Sequence, residues 1–516
     1  MPASFLRGEE MTDWMRGYHA HSGYSYGYQA EIMPARLRWA AMFNKHLLPA
    51  KNFRYLDAGC GQGVNLVFAA AIHPDSEFVG IDYMPEHVAH ARKLADRCGL
   101  DNVTLIEGDF VELAANPREL GEFDMTVCHG IATWIAPEIR QALYRMIGQV
   151  LKPGGVFYNG YNCQPGWLTM APFQQLVKLQ SENGGIEAIG AARRTMEQLN
   201  KATNVLSSAY PRMAQRLETL ESQESSYLVQ EYVHNHWQPA FVSDVINELA
   251  AVKLNYLGPA TLPDIFENVL PAPVRELMRQ QPNVALREQV RDFATLQNFR
   301  RDLYIKGKPS AWDIELSEAL RETRVMVNPM VPRPATGEPY KITGSTHELA
   351  GDHATFTAIL DRIISHGGET AIGKLVDEER DNKRKATLIE TLNMLLQSGW
   401  ITPHIAEPNP RAAQVSIAIA KEVCLGAPYR QIPVPTTGGA VTLNETDLIL
   451  TRLVGEGVPR EQLGPPLLDT LNKMQRRLAK EGRAVNGPEE EREVLNMLVR
   501  DYFAATLPFL KKFGVL

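Results

Sequence analysis

Hydrophobic and polar positions switch between two periods along the first third of the chain. Short apolar runs close on an acid or a histidine: one ends at Asp57, Glu77-Phe-Val-Gly-Ile-Asp82 is the second, and Val103-Thr-Leu-Ile-Glu-Gly-Asp109 the third. Phe123-Asp-Met-Thr-Val-Cys-His129 is a fourth, and Leu151-Lys-Pro-Gly-Gly155 leads into a fifth at 156–160. Between the runs, residues 64–72, 85–98 and 137–151 carry helical spacing. The alternation predicts a doubly wound α/β fold, a parallel sheet with helices on both faces. Ligands in such sheets lie at the carboxyl ends of the strands, where Asp57, Asp82, Asp109 and His129 all fall. Residues 35–47 read as an amphipathic helix ahead of the first strand.

After Trp167 the pattern stays helical through 172–180, 186–206 and 212–220. Residues 308–346 are rich in Pro and Gly and read as a linker with extended pieces. Helical patterns at 355–364, 371–376 and 383–397, closed by Ser398-Gly-Trp-Ile401, suggest a winged-helix-like unit over 347–410. Residues 411–516 are expected to form an all-helical unit.

Composition narrows the picture modestly. A chain of 516 residues is long for one domain. A net charge of −7 argues against a surface built for phosphate backbones. The five cysteines have no CxxC spacing, which excludes a zinc ribbon and suits a reducing cytoplasm. No apolar run is long enough to span a bilayer, and the first ten residues lack a signal core.

The loop after the first run carries the chemistry. It reads Asp57-Ala-Gly59-Cys-Gly61-Gln-Gly63. An acid opening the loop would repel a pyrophosphate but suits a cation such as S-adenosylmethionine, which carries a sulfonium and an ammonium. Glycines let the backbone turn sharply and approach a ligand closely. This loop, with Asp82, Gly108-Asp109 and Leu151-Lys-Pro-Gly-Gly155, resembles class I S-adenosylmethionine-dependent methyltransferases. The segments 129–135 and 161–167, and Glu231-Tyr232 with Trp237-Gln-Pro239, are similar to the group with a methyltransferase regulatory domain, which includes rickettsial protein-lysine methyltransferases. The resemblance implies a seven-stranded sheet within 51–307, completed by an antiparallel edge pair at 254–258 and 302–306. Residues 172–226 are then a helical insertion on the acceptor side, and residues 1–50 a cofactor lid or a packed strap that includes Tyr18, Tyr24, Tyr26 and Tyr28. It also implies S-adenosylmethionine as cofactor, a protein as acceptor, a cytoplasmic location, and neither a metal nor a membrane partner.

Each expected site residue has a functional and a structural reading. Asp57 sits by the methionine ammonium or caps backbone amides. Asp82 accepts the ribose hydroxyls or opens the helix at Pro85. Tyr83 and Phe110 flank the adenine, and Asp109 takes its amino group or is a solvated loop acid. Gly59, Gly61 and Gly63 form the cofactor loop, with Tyr28 as the strap's contribution. His129 accepts a proton from the acceptor or holds the cofactor backbone. Tyr161 and Asn162 are candidates for the acceptor's catalytic wall, with Trp134 and Trp167 as acceptor-side rings or core anchors. His234 and His236 read as ordinary polar positions. A small-molecule or glycan methyltransferase is one alternative. A cofactor-sensing nucleic-acid-binding regulator, using Lys383-Arg-Lys385, is another, although Asp377, Glu378, Glu379 and Asp381 flank that run.

Overall fold

The computed structural model describes residues 26–516 except 185–186, 221–227, 229–230, 234–235, 310, 406, 408 and 481. Tyr18, Tyr24 and His234 therefore lie outside the described residues. Strands β1 (Arg54–Ala58), β2 (Glu77–Asp82), β3 (Val103–Glu107), β4 (Phe123–His129) and β5 (Leu151–Gln164) are followed by a short β6 (Ala240–Phe241), β7 (Leu254–Pro259) and β8 (Phe299–Lys306). They join in the order β3-β2-β1-β4-β5-β8-β7, with β6 beside β5. β8 runs antiparallel to both β5 and β7, and the pairs from β3 to β5 are parallel. This is the seven-stranded methyltransferase sheet. Its central strands β1 and β4 are buried along most of their length because both faces are covered. Along β1, Tyr55 enters one core while Leu56 and Ala58 enter the other.

Helices α1 (Pro34–Phe43), α2 (Val64–Ile72) and α3 (Pro85–Arg97) cover one face, and α4 (Phe110–Ala115) and α5 (Pro137–Val150) the other. All nine residues of α2 are buried. The sheet lies on one side of it, and helix Pro410–Cys424 with the hairpin β14 (Gln431–Val434) and β15 (Gly439–Thr442) lies on the other. Asn409 donates to the Ala71 carbonyl at 3.0 Å, and Trp39 donates to Asn393 at 2.9 Å. One core thus runs from the sheet into the accessory half and crosses position 307 without a break.

The stretch expected to be a linker is folded. It carries helix Asp313–Glu322, whose Glu315 carboxylate accepts from the Trp312 N–H at 2.8 Å, and strand β9 (Arg324–Val327). β9 is the middle strand between β12 (Glu369–Ala371) and β13 (Ile401–His404). Flanking Pro and Gly residues hid a ten-residue helix of good formers within a polar average. The C-terminal unit is mainly helical, with the β14–β15 hairpin facing the methyltransferase sheet's helices. The insertion gathers its own core around Trp167, Phe173 and Tyr232, with helices Ala171–Gly184, Glu187–Thr203 and Pro211–Thr219. Among the described residues no helix is long and apolar enough to cross a membrane.

Candidate active site

After β1 the chain turns through Gly59, Gly61 and Gly63 at φ of +90°, +51° and +75°. Side chains strain this left-handed backbone, so glycine is required. At Gly59 a Cβ would also stand 2.6 Å from Ile131 Cγ1. Sheet edges pin the loop. The Gly59 and Cys60 N–H groups donate to the Ile81 carbonyl at 2.8 and 3.0 Å. The Gly61 N–H donates to Asp82 Oδ2 at 2.8 Å. The other carboxylate oxygen, Oδ1, accepts from the Met84 N–H at 3.0 Å and lies 3.1 Å from His87 Nδ1. Asp82 thus organises two loops while still lining the groove. His87 is a partner the sequence reading missed, although it stands one helical turn into α3 from that acid.

Two cavities meet at Gly59. The first, about 640 Å³, is lined by Asp82, Tyr83, Met84, Asp109, Phe110 and Trp134, with Ile131, Ile135 and Ile139 opposite. Its walls are apolar rings and branched chains with acids at the rim, which could hold a nucleoside. Asp109 also caps α4, accepting from the Val111 N–H at 2.7 Å, so its two readings coexist. The second cavity, about 490 Å³, is lined by Asp57, Gln62, Asn65 and His129 beneath Gly27 and Gln29 of the strap. Gln29 is tied to the loop helix through its backbone: its N–H donates to Asn65 Oδ1 at 2.9 Å and its carbonyl accepts from Asn65 Nδ2 at 2.7 Å.

Charge is unbalanced in this second cavity. Asp57 is buried, and no hydrogen bond or ion pair to its carboxylate is present among the described residues. Burial, reinforced by the nearby Asp82, pushes it up to about 7. A carboxylate so placed calls for a cationic ligand. His129 lies 2.9 Å through Nδ1 from the Tyr158 hydroxyl and stacks on that ring. Burial, then the Arg301 charge, push its imidazole down to about 4 against the pull of Glu31. It is therefore neutral near pH 7. Arg301 lies 3.5 Å from the Glu31 carboxylate and 4.9 Å above the Phe299 ring. Burial works to raise Glu31, but Arg301 and Arg36 outweigh it and hold the acid low. Sequence reading missed Glu31, Arg36 and Arg301, because no local spacing links them to His129.

Several expected site residues lie elsewhere. Tyr28 lines neither cavity; its ring packs on Phe68 and its hydroxyl accepts from the Ala440 N–H at 3.1 Å. The strap residues at the groove are its neighbours Gly27 and Gln29. Tyr161 points to the opposite sheet face, where its hydroxyl donates to Asp302 at 3.0 Å within the Arg300 ion network. Strand alternation sends it there. Asn162 faces the groove side but spends its amide on Glu231 at 2.7 Å. Trp167 is buried in the insertion's core beneath Arg216, which stands 4.1 Å from its ring centroid. Trp134 lines the nucleoside-sized cavity and not a separate acceptor wall.

Comparison with known proteins adds a second line. Residues 49–244 match the family described as methyltransferase domain, and residues 224–306 match the one described as predicted methyltransferase regulatory domain. A Synechocystis protein of uncharacterised activity is 28% identical over 97% of this chain and 99% of its own length. The structure of PKMT2 from Rickettsia typhi is similar in fold, at 19% identity, a TM-score of 0.71 and coverage of 95% of this chain and 99% of that one; its complex with AdoHcy gives 0.70. The release factor glutamine methyltransferase of Salmonella typhimurium is 28% identical over 29% of this chain and 62% of its own length.

Proposed function

The chain is an S-adenosylmethionine-dependent methyltransferase with a methyltransferase regulatory domain, and from that premise we propose that it methylates a lysine side chain of a protein. The residues present fit the cofactor, and the buried Asp57 carboxylate, which has no partner among the described residues, is the observation that supports this fit. Asp57 would hold the ammonium, Asp82 the ribose hydroxyls, and Tyr83, Phe110 and Asp109 the adenine. When bound, the cofactor supplies a methyl group on a sulfonium, transferable by in-line displacement.

The methyl side of the groove carries the lysine reading. A lysine amine attacks only when neutral, and its reference pKa is ~10.4. Burial beside cations lowers that value. Here Arg301 and Arg36 stand around one carboxylate, Glu31, with a neutral His129 between the groove and Tyr158. His129 adds no positive charge beside a sulfonium, and its low basicity assigns it to orienting the amine more than to removing its proton. The end-to-end fold shared with PKMT2 supports the same acceptor class. The five free cysteines suit the cytoplasm.

The test is transfer of tritiated methyl to a fractionated lysate, followed by acid hydrolysis of the labelled protein. Label recovered as methyl-lysine is the expected result. Label in nucleosides, in small metabolites or in methylamine, which acid releases from methylglutamine, would overturn the lysine assignment.

A further inference from the structure

The cofactor loop is held from outside the methyltransferase domain. Gln62, between the left-handed Gly61 and Gly63, has its carbonyl 2.9 Å from His90 Nδ1. A carbonyl only accepts, so His90 donates through Nδ1–H and is left with a lone pair on Nε2. Burial keeps that imidazole in its neutral form. The Tyr429 hydroxyl, from the C-terminal unit, lies 2.7 Å from Nε2 and must donate to it. The other end of the same peptide is also fixed, because the Gly63 N–H donates to the Cys60 carbonyl at 3.0 Å. Tyr26 of the strap packs edge-on against both rings, at 5.2 Å from His90 and 5.9 Å from Tyr429.

We infer that Tyr429 and His90 are positioning residues for cofactor binding: the C-terminal unit sets the Gln62–Gly63 peptide, and with it the glycine loop, through the chain Tyr429 O–H to His90 to the Gln62 carbonyl. Two further contacts hold the donor in reach. Arg97, at the end of α3, pairs with Glu422, and Asp101 pairs with Arg411. Asp82 fixes the loop at Gly61 from the sheet side, and His90 fixes it at Gln62 from the accessory side. The glycines on both flanks of Gln62 adopt left-handed backbone without strain but have the most conformational freedom to lose, so the loop's geometry depends on the contacts that hold it. The accessory half of the chain therefore acts on the donor site, quite apart from any role in holding an acceptor.

The inference rests on the cofactor assignment and not on the identity of the acceptor, so it is tested by calorimetry with S-adenosylhomocysteine on the full chain. Tyr429→Phe deletes only the hydroxyl and is expected to weaken binding about 3- to 10-fold, the range of one hydrogen bond, in a protein that still folds cooperatively. His90→Ala is expected to weaken it further. His90→Gln, whose amide offers both a donor and an acceptor, should recover part of that loss. The double variant Tyr429→Phe with His90→Ala should bind no worse than His90→Ala alone, because one chain carries both effects. An unchanged affinity in Tyr429→Phe, or a double variant whose loss is the product of the two single losses, would overturn the proposal. Absence of binding by the unmodified protein would overturn it together with the cofactor assignment.

Discussion

The two ends of the cofactor groove are built by opposite rules. At the nucleoside end the two acids stand at or just beyond a strand terminus, and both accept hydrogen bonds from the protein's own backbone. Asp82 serves Gly61, Met84 and His87, and Asp109 caps its own helix. At the other end the groups come from distant parts of the chain: Asp57 and His129 line the cavity, Glu31 is already answered by Arg301 and Arg36, and Asp57 alone has no counter-charge among the described residues. One end is a preformed mould. The other holds electrostatic demand that a cation completes, so its affinity depends on protonation where the first end's depends on geometry.

The largest expected effect breaks the preformed end. Asp82→Ala removes three loop contacts and the expected ribose acceptor together. Hydrogen bonds to a charged group are worth about 1.5–3 kcal/mol each. Binding of S-adenosylhomocysteine should weaken about 100-fold, read by calorimetry. A loss below tenfold would mean that the mould survives without its organiser.

An intermediate effect sharpens the contrast through pH. Burial and the nearby Asp82 push Asp57 up to about 7. The cation binds the ionised form, so below pH 7 a proton competes with it. Affinity should fall about fivefold from pH 7 to pH 6 and level off above about 8, since the competent fraction scales the apparent constant. Asp57→Asn should bind weakly and without this slope. The linkage has a counterpart in stability. A folded value raised above the unfolded ~3.9 means that the neutral form stabilises the free protein at low pH. That contribution is lost as pH rises through about 7, and bound cofactor should restore it. Denaturant titrations at pH 5.5 and 7.5, with and without ligand, test the sign.

The smallest effect concerns a residue that belongs to neither end. Tyr161→Phe deletes the bond to Asp302 on the far face of the sheet. It should cost about 1 kcal/mol of stability and leave cofactor affinity unchanged. A changed dissociation constant would return Tyr161 to the site.

The same contrast explains what the amino-acid pattern disclosed. The positions of Asp57, Asp82, Asp109 and His129 at the carboxyl edge of the sheet were legible because strand period and strand termini are local properties. The edge pair β7 and β8 followed from completing the sheet. The partners of His129 were not legible: Tyr158, Phe299 and Arg301 meet it through sheet order and register, which no spacing encodes. Tyr161 and Asn162 illustrate a finer limit. They sit at the right strand end, but alternation turns one to the wrong face, and Glu231 occupies the amide of the other. Tyr28 was drawn to the groove by its tyrosine-rich neighbourhood, whereas Phe68 and the β14–β15 hairpin hold it.

The complete burial of α2 bears on how the protein is made. The helix and the glycine loop before it leave the ribosome early, yet the surface that covers α2 belongs to residues 410–442. At ~5–20 residues per second, translation separates the two by roughly twenty to seventy seconds. Throughout that interval the nascent chain displays an apolar helix on an unfinished sheet, the kind of transient surface that makes partly folded chains prone to aggregate. A ribosome stalled near position 307 would therefore hold a catalytic domain with all its own sequence and no finished outer wall.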